Sequence, residues 1–230
     1  MMIHRSDNCF NSTYYMSILK SGVSAGYRFM TFREFVAECP NTDQHRICLL
    51  RHDLDDKPQR LRLFLEAERI AGVRSTTFIL VHTDKYNPHA YPLLKILREA
   101  ERDGFEIGLH SNFLEAAKAT GYNPETLLKN EVETLRGYFQ ISGVACHRNI
   151  DNMYNSLPYL EKNWPALRGL TGLTYHAYDA EIMNNLAFVN EGIMPLGWRS
   201  LTPEEVIASG RSFCLSTHPH WWHKDHAHED

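Results

Sequence analysis

From Ile47 to Thr217 short apolar runs alternate with amphipathic segments, and this alternation restricts the fold more than any other feature of the chain. It is the pattern of repeated strand-helix units around a mostly parallel sheet. The expected strands are Ile47–Arg51, Thr76–Val81, Phe105–Leu109, Gly143–Cys146, Leu173–Tyr178 and Phe213–Ser216, with a weaker one at Ile193–Gly197. After the first, Pro58 suits an opening helical turn, Leu61, Phe64 and Leu65 recur at helical spacing, and Gly72 offers a stop. Leu93, Ile96, Leu97 and Ala100 repeat the stripe before Gly104. Asn123 and Pro124 read as N-cap and first position of a helix carrying Leu128, Val132 and Leu135. Ahead of this array the spacing predicts helices around Tyr14–Leu19 and Glu34–Glu38, a turn at Gly22–Gly26 and a short apolar stretch at Phe29–Phe32.

A chain of 230 residues is long enough for one large α/β core, and its 43% hydrophobic content with no Pro/Gly/Ser-rich linker gives no reason to divide it. One domain over 1–230 is expected, with 1–45 as a helical extension packed on the core and 223–230 as a solvated tail. A net charge of -4, with basic residues interspersed among acids, supplies no footprint for a nucleic-acid backbone. Met1–Phe10 lacks a basic region followed by an apolar one, and no run of roughly 18 apolar residues occurs, so a soluble, unexported, cytoplasmic protein is expected. The five cysteines, Cys9, Cys39, Cys48, Cys146 and Cys214, form no CxxC pair and are odd in number, which fits reduced thiols.

In parallel α/β sheets, sites collect where strands run out into loops at their carboxyl ends. The first strand runs out into Arg51-His52-Asp53-Leu54-Asp55-Asp56, the third ends at His110, the fourth in Cys146-His147-Arg148, and the last in Thr217-His218-Pro219-His220-Trp221-Trp222. Asp56, just before Lys57-Pro58, is explained by helix capping alone. Asp53 and Asp55 lie on either side of Leu54 and cannot both serve one cap. His110 alone would read as a satisfied polar residue; with the other strand ends beside it, it becomes a candidate ligand.

These segments resemble the polysaccharide deacetylases, carbohydrate esterases with a NodB homology domain, over roughly Arg46 to Trp222. The resemblance rests on His52-Asp53-Leu54-Asp55-Asp56, Gly72-Val73-Arg74-Ser75-Thr76-Thr77-Phe78, Gly104-Phe105-Glu106-Ile107-Gly108-Leu109-His110-Ser111 and Ser216-Thr217-His218-Pro219. It implies an α/β fold of the distorted (β/α)7 barrel type. It further implies Asp53 as catalytic base, Asp55 and His110 as metal ligands, Arg148 orienting the base, and His218 as general acid. The family's usual second motif carries another His four residues after the first, where this chain has Leu114. His82, Asn112 and His147 are the candidates for the missing third ligand.

A mixed oxygen and nitrogen ligand set suits zinc, with cobalt, nickel or manganese as alternatives. The implied activity is metal-dependent hydrolysis of an N-acyl group from an amino sugar. For an unexported enzyme the partner would be a sugar intermediate of surface polysaccharide biosynthesis. Trp221 and Trp222 offer a face for a sugar ring, or else an anchor for the C-terminus. Two rival readings keep the same fold: an inactive carbohydrate-binding domain, and a hydrolase of another C–N bond such as a cyclic amide or N-formyl group. Gly22-Val23-Ser24-Ala25-Gly26 matches the serine-hydrolase GxSxG, but the segment before it is helical in pattern where that motif needs a strand.

Overall fold

The computed structural model describes residues 10–147, 155–192 and 197–224. Nine strands, β1 (Arg28–Met30), β2 (Ile47–Leu54), β3 (Thr76–Leu80), β4 (Glu106–Ser111), β5 (Gly143–Cys146), β6 (Tyr175–His176), β7 (Ala187–Gly192), β8 (Gly197–Trp198) and β9 (Phe213–Thr217), form one sheet. Its order is β6-β5-β4-β3-β2-β9-β7-β8, with β1 alongside the start of β2, and every pairing is parallel except β7 with β8. The helices are α1 (Ser12–Ser24), α2 (Phe32–Glu38), α3 (Leu61–Ala71), α4 (Tyr91–Arg102), α5 (Phe113–Thr120), α6 (Pro124–Arg136), α7 (Ser156–Thr171), α8 (Ala180–Met183) and α9 (Pro203–Ser209). The sheet curls into a half-barrel, and among the described residues β6 and β8 do not meet. No helix among the described residues is long and apolar enough to cross a membrane.

Strand periodicity divides the core into an inside and an outside. On β2, Ile47 and Leu49 point into the barrel with Phe78, Ala145, Tyr175 and Cys214, whereas Cys48 and Leu50 face outward against α1 and α3. Ile107 and Leu109 of β4 pack outward against the α4 and α6 layer. Inside, space is tight: a Cβ on Gly143 would lie 2.0 Å from the Tyr175 ring, and one on Gly108 2.6 Å from the Phe78 ring. Glycine at these two positions lets aromatic rings fill the half-barrel beneath the site.

The helix signals act as expected. Asn123 caps α6 by accepting from the Thr126 amide, and Gly72 closes α3 in the left-handed region at φ 72°. The N-terminal stretch is more than a helical extension, because β1 joins the sheet through Arg28 opposite Ile47. The tail boundary also moves: the His223 amide donates to the Phe10 carbonyl, so the chain stays attached past Trp222. Ser24 is the last residue of α1, so a helix leads into it where a nucleophile elbow needs a strand. The weak strand expected at Ile193–Gly197 lies outside the described residues except for Gly197, which opens β8; β7 precedes it at Ala187–Gly192.

Candidate active site

The inward rows of β2, β5 and β9 run upward from apolar to polar, and that of β4 ends in the same polar layer, so the same periodicity that fills the core builds the site. On β2 the inward row is Ile47, Leu49, Arg51, Asp53; on β4 it ends at His110. Continuing from Ala145 of β5 it reaches His147, and from Cys214 and Ser216 of β9 it reaches His218. Parallel register brings these ends level, with His110 opposite both Leu80 and Ala145, and His52 opposite Thr217. They converge on an open cleft of about 1210 Å³ at the carboxyl edge of the sheet.

Arg51 and Asp53 form a buried, two-pronged pair: Nε donates to Oδ1 at 2.7 Å and Nη2 to Oδ2 at 2.8 Å. The guanidinium is wedged between the Phe78 and Tyr178 rings, 5.3 and 4.7 Å from their centroids. Burial alone would raise the Asp53 pKa, but the charge and hydrogen bonds of Arg51, with His110 beside them, hold it well below the usual carboxylate range. Asp53 is therefore ionised and fixed in orientation.

Asp55, His110 and His147 bring ligand atoms within 4.8 Å of one another. His110 Nε2 lies 3.3 Å from Asp55 Oδ1, and His147 Nε2 lies 3.9 Å from the same oxygen. Ligand atoms around a tetrahedral cation with bonds of about 2.1 Å sit roughly 3.4 Å apart, so this set fits a metal. Two further features agree. His110 Nδ1 is 2.9 Å from the Ala145 carbonyl and must donate to it, so that in the neutral ring, which a metal requires, the Nε2 lone pair faces Asp55. Asp55 Oδ1 is buried with no hydrogen-bond partner, an arrangement a cation would relieve. Burial, then His110 nearby, keeps the His147 imidazole below its usual pKa and so neutral, as a ligand must be.

Opposite this cradle, His218 Nδ1 contacts Glu191 Oε2 at 2.7 Å and Nε2 lies 3.7 Å from Asp55 Oδ2. The same Glu191 oxygen accepts from the His218 amide at 2.8 Å, and the other accepts from the Trp222 indole. Burial works against a charge on His218, but Glu191 outweighs it and the imidazole is pushed up to about 9. His218 is thus a protonated group aimed into the cleft.

Of the three candidates for a third ligand, the structure brings only His147 into the cradle. His82 stands on the cleft's lip with Nδ1 2.5 Å from Glu131 Oε1, and the Asn112 amide leans toward Glu115 at 3.3 Å. Leu114 packs against the outer apolar cluster. Arg148 lies outside the described residues, and the contact to Asp53 that it was expected to make is made by Arg51. Trp221 lines the cleft, its ring 4.4 Å from that of His218. Trp222 requires correction as a sugar-binding residue: it is 1% exposed, enclosed by Phe10, Tyr14, Tyr15, Phe64 and Trp198. It is the anchor of the C-terminus. Residue reasoning passed over Arg51 and Glu191; the spacing of Arg51 two before Asp53, which puts both on one face of a strand, was the available signal.

No family description matches the chain, and no curated protein sequence matches it. Among solved structures it is similar to that of the Streptococcus pyogenes deacetylase PplD in complex with acetate, at 13% identity and a TM-score of 0.53, over 90% of this chain and 81% of that one. At that identity the likeness is one of architecture, and it shows a deacetylase-like barrel fold.

Proposed function

We propose that this chain is a metal-dependent hydrolase that removes an N-acyl group, in the first instance acetyl, from an amino sugar. The observation that carries the reading is the flanking of one cradle by two groups of opposite proton character: Asp53, fixed and ionised, and His218, fixed and protonated. Its fold is also that of a protein named as a deacetylase.

A divalent cation held by Asp55, His110 and His147 would acidify a water and polarise the acyl carbonyl. Asp53 is a weak base because Arg51 stabilises its anion, so it can take a proton only from a water already acidified. Each of its oxygens accepts one bond from Arg51 and keeps a lone pair for that water. As the water oxygen bonds to the carbonyl carbon, one proton passes to Asp53. As the C–N bond breaks, His218 delivers its proton to the departing nitrogen, leaving acid and amine. Glu191 then faces a neutral imidazole, whose recharging by the proton from Asp53 completes the cycle.

The zinc assignment, with cobalt, nickel or manganese as substitutes, follows the ligand types. The cleft's size suits a sugar with a linked group, and Trp221 on its wall suits the apolar face of a ring. A cytoplasmic nucleotide- or lipid-linked sugar intermediate of surface polysaccharide synthesis is the substrate class we propose. Incubating metal-loaded protein with free, nucleotide-linked and lipid-linked N-acetyl amino sugars, N-formyl analogues and cyclic amides tests this. Acetate release is expected; formate release or ring opening alone would reassign the bond cleaved, and saturable binding without turnover would make the chain a carbohydrate-binding domain.

A further inference from the structure

Tyr178 stands two residues past β6, where the Ala177 amide donates to the Val144 carbonyl at 2.8 Å and the Asp179 amide to the His176 carbonyl at 2.9 Å. Its side chain lines the cleft beside the Arg51–Asp53 pair. The Tyr178 oxygen lies 2.9 Å from Arg51 Nη2. A guanidinium has no acceptor atom, so in this contact Arg51 donates and the tyrosine oxygen accepts. The phenol's own hydrogen is therefore directed elsewhere. Among the described residues the bond from Arg51 is the only hydrogen bond of this oxygen, and Asp53 accepts from Arg51 without one from the phenol. Burial, opposed by Arg51 and reinforced by Asp53, pushes the phenol up, so it keeps that hydrogen.

A largely buried O–H with a fixed oxygen, a cation behind it and only the cleft ahead is a donor waiting for an acceptor. The cation behind polarises the O–H and strengthens what it donates. We infer that Tyr178 is the residue that hydrogen-bonds the substrate's acyl carbonyl oxygen and the negative charge that develops on it, with Arg51 serving both Asp53 and Tyr178 from the rear. The inference rests on the hydrolase reading above and adds to it a catalytic residue that donates to the reacting oxygen.

Tyr178→Phe is the direct test, because phenylalanine keeps the ring over the guanidinium and removes the hydroxyl, both the free donor and the acceptor that Arg51 uses. Variant and wild type are compared at equal metal content and after matching of their melting curves. The expected result is a kcat lower by about a hundredfold, the loss typical of one oxyanion donor, with KM little changed. Acetate, the product, should bind about tenfold more weakly, as for a lost bond to a charged acceptor. A residue that merely braces Arg51 would lower the melting temperature already in Tyr178→Phe and further in Tyr178→Ala, and leave acetate affinity alone. Unchanged kcat and unchanged acetate affinity in folded, metal-replete Tyr178→Phe overturn the inference. If wild-type protein hydrolyses no N-acyl substrate, the hydrolase reading fails, and the acetate comparison still decides the donor role of Tyr178.

Discussion

Removing the guanidinium of Arg51 separates an orienting role from a packing one. Arg51 is fully buried and Asp53 is 4% exposed, and they share two short hydrogen bonds. In Arg51→Met the apolar stem still fills the gap between Phe78 and Tyr178, but Asp53 is left as a buried anion without its partner. Breaking a buried pair from one side costs about 3 to 5 kcal/mol. With a urea slope of about 2 to 3 kcal/mol/M, the unfolding midpoint of metal-stripped protein should fall by about 1 to 2.5 M. Asp53→Asn removes the charge but keeps an oxygen that accepts from Arg51, so about 1 to 3 kcal/mol is expected. The double variant has neither charge, so its loss should not exceed that of Arg51→Met, a coupling of at least about 1 to 3 kcal/mol.

The pH dependence follows from the same pair. The folded Asp53 pKa lies below its unfolded value of about 3.9, so the stabilisation is complete above that value and is lost as pH falls through the folded pKa. The gap between wild type and Asp53→Asn should therefore be constant from neutral pH down to about 5 and shrink below about 4. Additive losses in the double variant, or strong coupling of Asp53→Asn to Arg148→Met instead, would refute the assignment of Arg51 as the orienting arginine.

With His223, His226 and His228 changed to Ala to remove adventitious sites, the chain should bind about one metal by elemental analysis. Asp55→Ala, His110→Ala and His147→Ala should each lose it, and His82→Ala should retain it; metal lost in His82→Ala but kept in His147→Ala contradicts the cradle. Glu191→Gln removes the anion behind His218 and should cut kcat by about ten- to a hundredfold with metal content unchanged, whereas unaltered turnover would show that His218 does not act as the acid. Without reductant, the denatured chain should take up five alkyl groups. In the native protein Cys39 should react and Cys48, Cys146 and Cys214 should not, since burial pushes their thiols up, Cys214 to about 12; a shortfall of two in the denatured count would indicate a disulfide.

The strands that sequence makes plain are the ones with uninterrupted apolar runs. Gly143–Cys146 is found as expected, and Ile47–Arg51 is right but three residues short, because the polar end of β2 is as buried as its apolar start. β7 is hidden in the sequence because Phe188 and Asn190 alternate with Ala187, Val189 and Glu191, and a strand ending in Asn-Glu-Gly reads as a loop. With it went Glu191, whose burial is set by Trp222 and His218 from far along the chain. The choice among His82, Asn112 and His147 was open for a similar reason. Each stands at a strand end, but only the pairing of Ser111 with Cys146 determines that the His147 ring comes beside that of His110. Arg51 was visible as a neighbour of Asp53; that it reaches the carboxylate depends on both β2 faces being buried.

The central strand carries more ionisable groups than stability alone would select, since each buried charge costs several kcal/mol before it is paired. β2 meets this by pairing on both faces. Inward, Arg51 holds Asp53. Outward, His52 Nε2 lies 2.7 Å from Glu68 Oε1 and Nδ1 lies 2.7 Å from the Thr217 hydroxyl. Glu68 also accepts from Tyr15 and Ser75, which ties α1, α3 and the approach to β3 to the same strand. Thr217 of β9 precedes His218, and its partner on β2 is His52, which precedes Asp53. Asp53 on β2 and His218 just past the end of the adjacent parallel β9 therefore stand at one level of the register, each one residue beyond an outward group of the same buried network. Their separation is set by sheet hydrogen bonds rather than by loops. The cradle between them is then completed from β4 and β5, whose registers follow from the same sheet.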